Sequence, residues 1–162
     1  MRTLVVFDPG IVSGIAVFYD DILWDTYALE QREMYHYFEQ RFPKLVTPQQ
    51  TAVICESYIG RYLTTEAREV LKLIGMIEFA TRQHLGTYPI YQRAQTRLSF
   101  LPQAKKLVRQ LPVQRKWLQH HYDATSHGLA YLYYSRVNNA AFALDPCLTQ
   151  GEADEPTAAR EA

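Results

Sequence analysis

The 162-residue chain, 48% hydrophobic and 21% charged, is about one globular domain, which excludes a disordered or low-complexity chain. No apolar run approaches the roughly 18–20 residues that span a bilayer and no secretory apolar stretch opens the chain; the distant Cys55 and Cys147 suggest neither a disulfide framework nor a zinc site, so a cytoplasmic protein is expected. The net charge of zero is a cancellation, because residues 1–57 carry −4, residues 58–118 carry +8, residues 119–150 carry −1 and residues 151–162 carry −3.

Residues 3–7 (TLVVF) form a continuous apolar run that stops at Asp8, the pattern of a buried strand. Pro9-Gly10 signals a turn. Residues 14–19 and 22–28 read as two more strands around Asp20-Asp21, a meander. Residues 29–42 carry a helical pattern that should end before Pro43. Residues 52–55 (AVIC) form another apolar strand, which ends at Glu56.

A polar, aromatic loop follows, and then the clearest helix, over 65–84. Thr64 or Thr65 can cap it, and Ala67, Val70, Leu71, Ile74 and Ile77 recur at helical spacing. Residues 87–91 read as a last strand, with Pro89 suggesting an edge. Residues 94–111 suggest one or two short basic helices broken at Pro102, and residues 116–136 a long final helix. The tail from Asp145 is acidic, without periodicity, and reads as disordered. The expected architecture is α/β: one domain over 1–144, with a mixed five-stranded sheet flanked by helices.

Asp8 and Glu56 both end apolar strands, and ligand sites in open α/β sheets lie at the carboxyl ends of strands. Two carboxylates there repel each other unless a cation sits between them, and a divalent metal resolves that conflict. A turn or cap role is the alternative for either residue alone. In the final helix, His120, Asp123 and His127 fall within about 60° of one another at 100° per residue, on a polar face. Leu118, Tyr122, Thr125, Leu129, Leu132 and Tyr133 occupy roughly the opposite face. Imidazole with carboxylate suits Mn²⁺, and carboxylates suit Mg²⁺; a merely solvated face is the competing reading. The basic 58–118 segment offers a positive surface to a polyanion, or simply solvated helix faces.

Asp8-Pro9-Gly10-Ile11-Val12-Ser13-Gly14 resembles the DPG-x-x-x-G opening of the RuvC-type Holliday junction resolvases, a ribonuclease-H-like family. Glu56 after an apolar strand is similar to that family's second acid, and His120-x-x-Asp123-Ala124 to its final-helix motif. The order agrees from residue 3 to about 136. The resemblance implies a metal-dependent endonuclease that cuts branched DNA in recombination and repair. It implies Asp8, Glu56, His120 and Asp123 as catalytic metal ligands, with Mg²⁺ as cofactor and Mn²⁺ able to substitute. Two ions would act together, and His127, one turn on, competes with His120 for its role.

Phosphate contacts are expected from Arg61, Lys72, Arg93, Arg97, Lys105 and Lys106. The position where family members often carry a stacking aromatic holds Ile59, with Tyr58 and Tyr62 nearby. A two-fold junction implies a homodimer, with the 65–84 helix and its Gly75 as the expected surface; tight packing of Gly75 on its own sheet is the alternative. Three rivals remain: an actin- or sugar-kinase-like phosphate loop, which needs a much longer chain; a branched-nucleic-acid-binding module without catalysis; and an RNA–DNA hybrid ribonuclease.

Overall fold

The computed structural model describes residues 2–57, 64–113 and 115–137. Arg61, the candidate stacking positions 58, 59 and 62, Cys147 and the acidic tail lie outside the described residues. Five strands form one sheet in the order β3-β2-β1-β4-β5: β1 (Thr3–Asp8), β2 (Val12–Tyr19), β3 (Ile22–Glu30), β4 (Thr51–Glu56) and β5 (Ile90–Gln92). The first three are an antiparallel meander, while β4 pairs parallel with both β1 and β5. The mixed sheet expected from the sequence is therefore present, with a shorter last strand that begins just after Pro89.

Side-chain alternation along a strand sends successive residues to opposite faces, and it splits the core in two. Val5, Phe7, Ile15, Val53 and Cys55 pack on one face against Met34, Tyr37, Phe42, Leu73 and Ile77. Leu4, Val6, Ala16, Phe18 and Ile54 pack on the other against Ala124, Tyr131 and Leu132. The first face is covered by α1 (Gln31–His36), α2 (Phe42–Leu45) and α3 (Thr65–Leu85), the second by α5 (Leu118–Val137). Thr64 caps α3, its side chain accepting from the Ala67 N–H, and Gly86 ends the helix in the left-handed conformation.

Two local expectations are corrected. The helical path from residue 31 does not stop before Pro43: a π-helical turn over Tyr37–Arg41 leads into α2, and Pro43 sits in the first turn of α2. The π-turn is closed by the Phe42 N–H donating to Tyr37 O five residues back, and the missing N–H of Pro43 falls in the first turn of α2, where proline is tolerated. Pro102 likewise lies at the start of α4 (Leu101–Val108), after a 3₁₀ segment over Ala94–Phe100. The break at Pro102 is thus a helix start.

The final helix also differs from an amphipathic surface helix. From His121 to Gly128 every residue of α5 is buried, polar ones included, while Tyr133 on the expected apolar face is half exposed. The helix lies between the sheet and α4 with its preceding 3₁₀ segment, so a polar face that sequence would leave to solvent is enclosed instead. Two glycines set its closeness to the sheet. A Cβ on Gly14 of β2 would land on the main-chain oxygen of His120 and 3.1 Å from the Ala124 Cβ; one on Gly128 would land on the Phe18 ring. Among the described residues no helix is long and apolar enough to cross a membrane.

Candidate metal centre

The two-residue period of the strands decides where the acids point. Leu4 and Val6 face α5, so Asp8 at the end of β1 faces it too. Ile54 faces α5, and so does Glu56, the last residue of β4. Ile90 packs on that same side, which carries Gln92 of β5 with it; Glu56 and Gln92 are register partners. Three adjacent parallel strands therefore deliver Asp8, Glu56 and Gln92 to one edge of the sheet beneath α5, and α5 brings His127 down onto them.

Asp8, Glu56 and His127 each offer a ligand atom, and these atoms lie within 4.8 Å of one another. His127 is fully buried. Its Nδ1 faces Gln92 Oε1 at 3.0 Å and its Nε2 faces Glu56 Oε2 at 2.9 Å. A proton on Nδ1, donated to the Gln92 amide oxygen, fixes the ring and leaves Nε2 to hold a proton or a cation against Glu56. Metal-binding histidines commonly donate their other ring N–H to an oxygen in this way.

The electrostatics show an acidic pair in need of a cation. Burial, then the hydrogen bond and negative charge of Glu56 and the charge of Asp123, push the Asp8 carboxyl up to about 9. Burial works against the Glu56 charge as well. The hydrogen bonds from His127 and Asp8, with the charges of His127 and Arg97, outweigh it and hold Glu56 down at about 2. At neutral pH the pair settles into one neutral acid donating to one carboxylate. A divalent ion among these oxygens and the imidazole nitrogen would reverse that balance and ionise Asp8, so the donor set fits Mg²⁺ or Mn²⁺.

The other expected site residues are distributed differently. Asp123 is buried, and its Oδ1 accepts from Arg97 Nη1 and, at 2.7 Å, from Gln119 Nε2. Of the two candidate histidines, the group that converges with Asp8 and Glu56 contains His127, and His120 lies outside it. The close approach at Gly14 pins the His120 main chain against β2, and the turn of α5 that reaches Glu56 is the one carrying His127. The Arg97 side chain is 19% exposed and turned inward to Asp123 and Glu56.

Arg93 and Lys106 are exposed, and Lys105 is half-buried with its ammonium 5.8 Å from the Tyr122 ring centre. Lys72 lies away on α3, 2.6 Å from Glu69 Oε1. Gln92 is the residue that sequence reasoning misses. Its signal is only its position two residues after Ile90 on a three-residue strand.

No protein-family model and no curated protein matches this chain. Solved structures do. "T. thermophilus RuvC in complex with Holliday junction substrate" aligns at a TM-score of 0.61 and 18% identity, covering 85% of this chain and 96% of that one. "Thermus thermophilus RuvC structure" aligns at 0.59 and 17%, covering 85% and 97%. Identity this low speaks to architecture alone, and on architecture the agreement is nearly chain-long: the protein has the ribonuclease-H-like fold of RuvC.

Proposed function

We propose that the protein is a divalent-metal-dependent, structure-selective endonuclease that cuts Holliday junctions or similarly branched DNA by phosphodiester hydrolysis. The observation that carries this reading is the convergence of Asp8, Glu56 and His127 at the carboxyl ends of neighbouring strands, on the fold of a RuvC solved with a Holliday junction substrate. An actin- or kinase-like phosphate loop fits less well, because Gly14 serves the close approach of α5 rather than an open loop.

Asp8 and Glu56 would hold Mg²⁺, or Mn²⁺ in its place, with Nε2 of His127 as the third donor. The bound ion would supply Lewis acidity toward a phosphoryl oxygen and lower the pKa of a coordinated water toward about 7. Gln92 keeps the His127 ring in one tautomer and orientation. Asp123, tied to Arg97 and Gln119, holds the guanidinium inside the cluster beside Glu56.

His127→Ala is expected to lower single-turnover cleavage and Mn²⁺ affinity by about 100-fold, because it removes a donor and frees Glu56. His120→Ala should change either by no more than about threefold, since that side chain stands outside the converging group. Equal losses in the two variants would return the role to His120.

Arg93, Lys105 and Lys106 are the proposed phosphate contacts among the described residues. Binding to a four-way junction should weaken steeply with salt. Replacing all three by Ala should lower the log–log salt slope by about 2.7, at about 0.9 per lost phosphate contact on duplex arms. An unchanged slope in a gel-shift series with Ca²⁺ would remove them from the interface.

A homodimer would give a two-fold junction two cutting sites. The outward face of α3 supports it. Among the described residues nothing lies within 4 Å of a Cβ built on Gly75, so tight packing on its own sheet does not explain this glycine, and Phe79 beside it is 70% exposed. The function itself is tested by cleavage of matched four-way, flap, duplex and RNA–DNA hybrid substrates in Mg²⁺ and Mn²⁺. Junction cutting with inert duplex and hybrid is the expected result. Selective binding without cutting would favour a non-catalytic module, and hybrid cutting a ribonuclease.

A further inference from the structure

The Arg97 guanidinium stands inside the acidic cluster. Nη1 pairs with Asp123, and Nε lies 3.9 Å from Glu56 Oε2. That Nε is buried and has no hydrogen-bond partner among the described residues. One oxygen of Asp123, Oδ1, is engaged by both Arg97 and Gln119, and Asp123 is not among the three residues whose ligand atoms converge. For that oxygen to bind an ion it would first have to release an arginine that is charged at any working pH.

Charge balance points the same way. Asp8, Glu56 and Asp123 bring three negative charges when ionised. Arg97 with one divalent ion brings three positive charges, so the buried centre is neutral; a second divalent ion would leave it at +2. In a partly buried cluster such an excess is costly.

We infer that Arg97 is the second cation of this centre: the chain binds one divalent ion at Asp8, Glu56 and His127, and the guanidinium stands where the sequence resemblance implies a second ion. The unused Nε–H is then a donor held ready for a phosphate oxygen, a geometry arginine suits. This rests on the metal-dependent nuclease reading above.

The test is a DNA-free titration of Mn²⁺ into the full-length protein, followed by electron paramagnetic resonance. Ions bound elsewhere are subtracted with Asp8→Asn, and folding is checked by circular dichroism. Wild type should take up one ion, without the coupled signal of two Mn²⁺ about 3.5–4 Å apart. Arg97→Gln should bind the first ion at least about tenfold more tightly, through loss of the nearby positive charge, and admit a second, coupled ion. Arg97→Lys keeps the charge and should stay at one.

Two coupled ions in wild type would overturn the inference while leaving the nuclease reading intact. So would one ion with unchanged affinity in Arg97→Gln, or two in Arg97→Lys. No Asp8-dependent ion in wild type would bring down the metal-centre reading itself.

Discussion

Asp8→Asn is expected to lower single-turnover cleavage of a four-way junction by about a thousandfold or more, while junction binding in Ca²⁺ stays close to wild type. Asparagine keeps the shape and can still donate to Glu56, but it cannot supply the charge that holds an ion. Little else in the cluster can replace the lowered water pKa a bound ion provides.

The same variant should be more stable than wild type without metal. Burial and the neighbouring Glu56 carboxylate push the Asp8 carboxyl up to about 9 in the folded chain, against an ordinary 3.8. A raised folded pKa means that the folded state holds this proton more tightly than the unfolded one. The Asp8 contribution is therefore favourable at acid pH and is lost as pH climbs from about 4 to about 9. Asn carries no such loss, so the variant should melt higher at pH 8 and the difference should fade toward pH 4.

Glu56 has the opposite sign. Its pKa is held at about 2 against 4.5, so it stabilises above its ordinary value and that gain disappears as pH falls toward 2. Mn²⁺ should raise the wild-type melting temperature through preferential binding to the folded state, and should leave Asp8→Asn where it was. Thermal melts across pH, with and without Mn²⁺, read all of these effects. A variant that cuts at the wild-type rate, or melts far below wild type at every pH, would make Asp8 a turn residue.

Gly14→Ala is expected to cost about 3 kcal/mol, the upper part of the usual overpacking range, and so to lower the melting temperature by about 6–12 °C for a chain of this size. The added methyl meets the backbone carbonyl of His120, which cannot rotate away, and the Ala124 Cβ behind it. Relief requires α5 to lift from β2, and α5 carries both Asp123 and His127. Cleavage and Mn²⁺ affinity should therefore fall together with stability. A calorimetric melt within 1–2 °C of wild type would show that helix and strand approach less closely than described.

The strands are legible because their apolar runs are uninterrupted and each ends at a change of character. Once the alternation in β1 and β4 is set, Asp8 and Glu56 follow onto the same face as Val6 and Ile54. The register of α5 against the sheet is another matter. Helical periodicity puts His120, Asp123 and His127 on one face but does not say which turn meets Glu56. That depends on Gly14 meeting His120 and Gly128 meeting Phe18, contacts between residues far apart in the chain.

Burial of α5 on all sides erases the amphipathic signal that would mark its inward face. Arg97 has no local signal of its inward orientation, because a 3₁₀ segment without buried residues has no periodic apolar stripe to orient it. Counting its charge with the basic segment describes its sign and misses its place. The Pro43 boundary differs for a local reason: proline disfavours a helix before it, yet it is at ease in the first turn of the next.

The central claim is that Asp8, Glu56 and His127 form a divalent-metal centre. Diffraction from crystals soaked in Mn²⁺, with an anomalous map at the manganese edge, tests it most directly. The account predicts a peak bounded by oxygens of Asp8 and Glu56 and by Nε2 of His127, at about 2.0–2.2 Å from each, with Gln92 still accepting from Nδ1. A map with no peak there, with Asp8 and Glu56 still sharing a proton and His127 still donating to Glu56, would contradict it.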